Sequence, residues 1–429
     1  MIYFIIVLFI APLFLIRPNF ISNSFSNKKM VGIPLFVISY TLLIFYFLPL
    51  IINSAPNLGI FENFITFVRY QSQIDYKIYF PIVFFSSLLF IVFFILGYLT
   101  PFKINNIYFF NYKNNLINIL SFFSIFLFCL QVVSIISQGP AYFLGYNFTS
   151  STGFASSLQL SIFAAEFIGV INALNWSLKK PNKISTIILF ASLFLLSFRA
   201  KRLEILAMIL PSFLAIQKRN LSKFKSKIKY LFFTIGAFFI LAFVGALRIQ
   251  DPSLNFLNLI YSVFTEPFLA SQTFQGYLTI NGGEPRFLFV NTLAAIISLI
   301  PAIIFPDKWE FLFSIGYYNN RDLNFNGANV ILTGIYDDFG IFGIILFAFL
   351  FGCIVRYADK SRILTKEISY YNDNLNLQTI IYYLSPVIIL HFRDGFANTL
   401  KYFIQSTIFI LLIVLASSKF KFSIPNKSI

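Results

Sequence analysis

Charge is scarce in this chain of 429 residues. Asp, Glu, Lys and Arg make up 11% of positions, against roughly 25% in soluble domains. Cysteine is scarcer still. Cys129 and Cys353 lie far apart in apolar stretches, which excludes a disulfide framework and a cysteine metal centre and predicts two small core hydrophobes. The single histidine, His391, excludes a His-rich metal site. No glycine-rich phosphate loop ending in Lys-Ser or Lys-Thr is present, so ATP hydrolysis is not expected, and no dinucleotide fingerprint occurs either. Within residues 53–79, Glu62 and Asp75 stand too far apart to make the acidic pair that a metal-dependent lipid-sugar transferase uses. The reaction, if there is one, is expected to need neither metal nor other cofactor. The N-terminus lacks a basic signal-peptide region, so Ile2–Ile16 reads as a retained first helix.

What the chain does have is apolar length. Hydrophobic residues make up 58% of it, including 60 Phe, and apolar stretches long enough for helices recur from end to end. The expectation is an all-α polytopic membrane bundle forming a single integral domain over 1–429. Candidate spans are 2–16, 33–52, 80–100, 116–137, 159–178, 184–198, 203–216, 230–247, 330–352, 377–391 and 397–416, about 11 in all, or 13 if two further segments cross. The net charge of +16 does not point to nucleic acid, because the basic residues are spread through short loops. With the first N-terminus outside, inner loops hold most of the Lys and Arg, including the run Lys218, Arg219, Lys223, Lys225, Lys227 and Lys229. Loops 101–115, 179–183, 217–229 and 353–376 are then cytoplasmic.

Residues 248–329 are expected to form a large outer segment. Its stretches 254–270 and 287–305 are apolar, but Gly282-Gly283, Pro285, Pro301 and Pro306 interrupt them, which suits re-entrant or amphipathic pieces more than plain spans. The outer loop 138–158 is uncharged and rich in Gly, Ser and aromatics, a surface for sugars or an ordinary loop.

Charge inside such a chain marks candidate sites. Arg199, Lys201, Arg202 and Glu204 lie where the short apolar stretches 184–198 and 203–216 meet. Each stretch falls short of the roughly 20 residues a span needs. A hairpin of the two would hold a recessed basic tip, either gripping a lipid-linked diphosphate or merely snorkelling. On the outer side Arg248, Asp251, Glu266, Glu284, Arg286 and Arg321 gather, with Asp337-Asp338 opening span 330–352, the turn His391-Phe392-Arg393-Asp394, and Lys401 beyond it. Arginine forks suit a diphosphate, and a titratable His391 or an outer carboxylate suits a general base. The alternatives are structural: Arg248 as an interface anchor, Asp337-Asp338 as a helix cap, and Gly334, Gly340, Gly343 and Gly352 as close-packing positions. Glu166, midway along span 159–178, is costly unless paired or facing a cavity.

Three stretches carry a resemblance: LIPAIIFPDKWEF at 299–311, NVILTGIYDDFGIFGIILFAFLFG at 329–352 with Tyr336, Phe339, Gly340 and Gly343 in a Tyr-x-x-Phe-Gly-x-x-Gly pattern, and LHFRDG at 390–395. Together with SFRAKR at 197–202, they resemble the O-antigen polymerases, the Wzy-type repeat-unit polymerases. Asp394 departs from that pattern by separating Arg393 from Gly395. The resemblance implies a GT-C-like bundle in a bacterial inner membrane. It implies a metal-independent glycosyltransferase that joins undecaprenyl-diphosphate-linked oligosaccharide units, donor to acceptor, on the periplasmic face. A flippase and a chain-length regulator are implied as partners beside the membrane lipids. It matches Arg393 and Arg199 to the family's two basic turns; with the residue reading above, the catalytic candidates are His391, Arg393, Asp337 and Asp338, and the diphosphate-binding candidates are Arg199, Lys201, Arg202, Arg248 and Arg286. A lipid-linked oligosaccharide flippase and an O-antigen ligase are the alternative readings.

Overall fold

A computed structural model describes residues 37–38, 41, 76–100, 108–109, 113–138, 152–177, 182–197, 202–220, 273–300, 304–317, 330–367 and 375–417. The expected spans 2–16 and 230–247 lie outside them, as do nearly all of 33–52. The described elements are α1 (Tyr76–Leu99), β1 (Tyr108–Phe109), α2 (Lys113–Gln138), α3 (Thr152–Trp176), α4 (Lys183–Ser197) and α5 (Arg202–Asn220). They continue with α6 (Val290–Ser298), α7 (Lys308–Ser314), α8 (Ile331–Glu367), β2 (Leu375–Asn376), α9 (Leu377–Leu390), a 3-10 turn (His391–Arg393) and α10 (Phe396–Ser417). Apart from the two-residue antiparallel ladder that pairs Tyr108 with Asn376 and Phe109 with Leu375, the described chain is helical.

Among the described residues, four helices are long and apolar enough to cross a bilayer: Ile78–Leu99, Ile117–Ser137, Ile331–Asp359 and Phe396–Ile413. Their outward faces are apolar too. Phe84, Phe85, Leu88, Val92 and Leu96 on α1 are exposed, as are Phe122, Ile125, Phe126 and Val133 on α2. Apolar belts of that extent are not sustained in water, and they suit lipid. The chain is a helical membrane protein. Cys129 lies on the exposed face of α2, not in the core, whereas Cys353 is buried. A lipid-facing position is as hospitable to a thiol as the interior, so hydropathy could not separate the two. The helix expected to end at 352 continues to Glu367. Lys, Arg and Ala are good helix formers, so charge ends the apolar span without ending the helix.

The described residues fall into two compact units. One holds residues 103–221, 357–387 and 404–429. In it α2 and α4 meet through a polar seam. Asn182 donates to Ser121 (2.8 Å), Ser124 to Ser185 (3.2 Å) and Ser192 to Gln131 (2.6 Å). Every pair is separated by 61 residues, so the two helices run parallel in one register and α3 crosses back between them. α3 packs closely on α5: a Cβ on Gly169 would stand 2.4 Å from the Met208 carbonyl. Glu166 is fully buried on α3.

The other unit holds residues 1–102, 222–356 and 388–403. Its α1 and α8 touch backbone to backbone. A Cβ on Gly352 would lie 2.2 Å from the Phe94 carbonyl, and one on Gly97 2.0 Å from the Phe349 carbonyl. Glycine allows that approach. Phe90, Phe94, Phe347, Phe351 and Phe392 fill the space beside it with ring centroids 5.2–6.4 Å apart. Between residues 273 and 317 the described helices are short, and α6 at nine residues rises only about 14 Å, too little to span.

Candidate functional site

α8 is not one continuous helix. Gly340 takes φ 63° and ψ −158°, a conformation from which a Cβ is largely excluded, and it breaks the helix just after Asp337-Asp338. A break of this kind frees carbonyls of the preceding turn. The Asp337 carbonyl is taken by the Phe287 amide at 2.9 Å, and the Phe287 ring lies 3.1 Å from where a Gly340 Cβ would stand. The segment 283–292 is thereby laid over the break, with Phe287 and Phe289 themselves at positive φ.

Both aspartates are buried under that segment. The Arg286 guanidinium grips Asp337 with a fork, Nε donating to Oδ1 at 2.7 Å and Nη2 to Oδ2. The Tyr277 hydroxyl donates to Oδ1 at 2.7 Å and the Asn291 amide to Oδ2 at 2.8 Å. Burial and the neighbouring Asp337 carboxylate raise the Tyr277 phenol above its ordinary value, so it stays a donor. Asp338 caps a helix to which it does not belong. It accepts from the backbone amides of Asn291 (3.1 Å) and Thr292 (2.7 Å), from the Thr292 hydroxyl (2.7 Å) and from the Asn291 side chain (2.9 Å). Those are the second and third residues of α6, whose own N-cap residue, Phe289, has no side-chain acceptor to offer. Tyr317, near the same carboxylate, is pushed up to about 12 by burial and by the Asp338 charge. A carboxylate accepts about four hydrogen bonds, and each aspartate receives four. The pair fastens 277–292 to α8.

The second polar group is the turn between α9 and α10. Phe392 packs against Phe347 and Phe351 of α8, beyond the break at Gly340. Phe396, two residues after Asp394, packs against Phe339 and stands 2.7 Å from where a Gly334 Cβ would lie, a position the Asn291 side chain also approaches at 3.1 Å. His391 is buried and stacks on Tyr402, centroids 3.6 Å apart at 12°. Its Nδ1 lies 2.6 Å from Asp394 Oδ2, and Arg393 Nε lies 3.3 Å from Asp394 Oδ1. The Thr399 hydroxyl donates to the His391 carbonyl at 2.9 Å, and Gly395 at φ 89° lets the chain reverse into α10. A carboxylate on Nδ1 fixes the ring and puts the lone pair on Nε2.

The sequence-level candidates thus divide. Arg286, Asp337 and Asp338 come together, as do His391 and Arg393. Glu284 is exposed in the first segment. Arg199, Lys201, Arg248, Asp251, Glu266 and Arg321 lie outside the described residues. Arg202 begins α5 at the end of the α4–α5 pair, and Glu204 beside it is buried. Among the described residues, no set of three or more His, Cys, Asp or Glu side chains is placed to hold a metal ion. Sequence reasoning gave no site role to Tyr277, Asn291 or Thr292. The neutral three carry no charge signal, and their acidic partners are 46 to 60 positions away. The chain matches no protein-family model, no curated protein and no solved structure.

Proposed function

We propose that the protein is a glycosyltransferase that polymerises lipid-linked oligosaccharide repeat units, in a GT-C-like bundle of about 11 spans in a bacterial inner membrane. The observation that carries the reading is the buried His391–Asp394 contact of 2.6 Å beside Arg393. An imidazole held by a carboxylate is suited to take a proton from an attacking hydroxyl. In the proposed step, the acceptor sugar hydroxyl attacks the anomeric carbon of the donor. The new C–O glycosidic bond forms as the C–O bond to diphosphate breaks. His391 Nε2 receives the hydroxyl proton, and the lipid diphosphate leaves with the bonding electrons. Arg393 supplies positive charge where that negative charge grows. The diphosphate bond provides the driving force, so the chemistry asks for no nucleotide.

The Tyr-x-x-Phe-Gly-x-x-Gly pattern at 336–343 and the SFRAKR sequence at 197–202 support the same reading through their resemblance to Wzy-type polymerases. Arg199, Lys201, Arg202 and Arg248 are proposed diphosphate ligands. Arg286, the remaining candidate, is paired with Asp337 and helps to fasten 277–292 to α8.

Purified protein supplied with undecaprenyl-diphosphate-linked repeat units tests the proposal. Lipid-linked chains of two or more repeats are expected, with and without EDTA. Loss of activity in EDTA, restored by a divalent ion, would overturn the metal-free mechanism. Transfer to a lipid A core acceptor without chain growth would establish a ligase instead, and movement of the lipid across a vesicle without transfer would establish a flippase.

A further inference from the structure

The helices α6 and α7 are apolar on both sides. Inward, Ala295 of α6 and Leu312 of α7 join Ala397 of α10 in one buried cluster, against which Phe305 and Ile315 pack. Outward, Phe289, Leu293 and Ile296 are exposed around α6, and Ile304, Trp309 and Phe311 around α7. A surface helix in water turns polar residues outward, whereas one that is apolar all round belongs in a core or a membrane. The polar side chains of α6 do not cover its outer face, because Asn291 and Thr292 are engaged by Asp338. Lys308, the only Lys or Arg in 287–317, is buried and donates to the Ile300 carbonyl at 2.6 Å, which ties α7 to the end of α6.

The level of this segment follows from α1. A Cβ on Gly283 would stand 3.1 Å from the Tyr79 ring near the start of α1, and Arg356 of α8 donates to the Tyr98 carbonyl near its end at 2.7 Å. From Tyr79 to Tyr98 the helix rises about 28 Å, close to the roughly 30 Å of a bilayer's hydrocarbon core. The chain therefore enters 287–317 at the edge of that core. Neither helix can cross it, since α6 has nine residues and α7 seven. The outward face also continues a lipid-facing one. Phe287 lies 3.1 Å from where a Gly340 Cβ would stand, and the Phe289 ring meets Phe339 at 5.2 Å. Just beyond, Phe342, Leu346 and Leu350 form the exposed stripe of the candidate span Ile331–Asp359.

We propose that residues 287–317 lie in the plane of the membrane at the edge of one leaflet, with the outward face of α6 and α7 embedded among phospholipid acyl chains. The partner is a lipid surface held by apolar contact. With its one cation buried, the segment has nothing to attract acidic head groups, and Asp307 and Glu310 are exposed on either side of Trp309. The hydrogen bonds of Arg286, Asn291 and Thr292 to the aspartates hold the element against α8 at that level. The inference does not depend on the transferase reading.

The chain has two tryptophans, Trp176 and Trp309, so Trp176→Phe leaves Trp309 as the sole reporter. The full-length variant is placed in nanodiscs of phosphatidylcholine brominated either next to the head group or near the chain ends. Trp309 emission is expected to fall about twofold or more with the shallow bromine and less with the deep one, since interfacial helices bury their apolar face about 5–10 Å. Acrylamide in the water should quench it little. Stronger quenching by the deep bromine would mean a spanning segment and overturn the in-plane placement. Strong acrylamide quenching without a bromine effect would put the face in water, and quenching by neither would mean that protein, such as a second copy, covers it; either result overturns the proposal. Adding phosphatidylglycerol should not strengthen the bromine effect, and a marked increase would overturn apolar contact as the basis of recognition. If Trp176→Phe fails to assemble, the difference in emission between the wild-type protein and Trp309→Phe gives the same readings.

Discussion

Asp337 and Asp338 are adjacent, equally buried, and held in different ways. Asp337 is neutralised by the Arg286 fork, whereas Asp338 is solvated by amides and a hydroxyl at the start of α6. Removing one partner of a buried ion pair strands the other, so Arg286→Ala is expected to cost about 3–5 kcal/mol and the Arg286→Ala/Asp337→Ala pair less than the sum. Denaturation of the purified protein measures this, and additive losses would contradict the coupling. At the turn, Asp394→Asn keeps the volume and the fold but turns the ring partner neutral and removes the preference for an Nδ1 proton. Polymerisation is expected to fall strongly in Asp394→Asn and His391→Ala, and to stop in Arg393→Ala, leaving single repeats on lipid. A gel of the surface polysaccharide reads this out, and a normal ladder in all three would remove the turn from the chemistry. His391 and Arg393 were visible in the sequence because charge is rare here. Asp394 was visible with them in the same charged turn, but its contact with the ring appears only in three dimensions.

Among the elements, the break in α8 decides most. Gly340→Ala places a side chain at φ 63° and against Phe287, and is expected to destabilise the protein by about 1–2 kcal/mol or more. Gly352→Ala meets the Phe94 carbonyl at 2.2 Å and must push α1 and α8 apart, so a larger loss of melting temperature is expected. The sequence pointed to close packing at both glycines. Gly352 does pack closely, while Gly340 works through its backbone conformation, which no periodicity encodes. The α4–α5 pair carries a separate expectation. Arg199→Ala or Arg202→Ala should abolish long polymer while the protein still inserts, and Lys at either position should restore it only in part because an ammonium lacks the bidentate fork. Normal polymer in both alanine variants would reduce that basic tip to a snorkelling turn.

At the scale of the whole molecule, the parallel register of α2 and α4 requires α3 to cross in the opposite sense, as successive membrane crossings do. The distribution of Lys and Arg gives an expected sidedness. Reporter fusions at Lys225 and Asn281 are expected on opposite faces of the membrane, Lys225 inside; the same face for both would undo the placement of the outer segment. The sequence by itself determined that this is a helical membrane protein and where most described spans lie, because each span's burial in lipid is paid for locally, residue by residue, along about 20 positions. It also marked the rare charged residues. Only the tertiary structure decided what those charges do. Asp337 and Asp338 are saturated by donors 46 to 60 residues away, and His391 is held between the Asp394 carboxylate and the Tyr402 ring. Hydropathy is a property of one segment, whereas an acceptor's occupancy depends on which segments the fold brings against it.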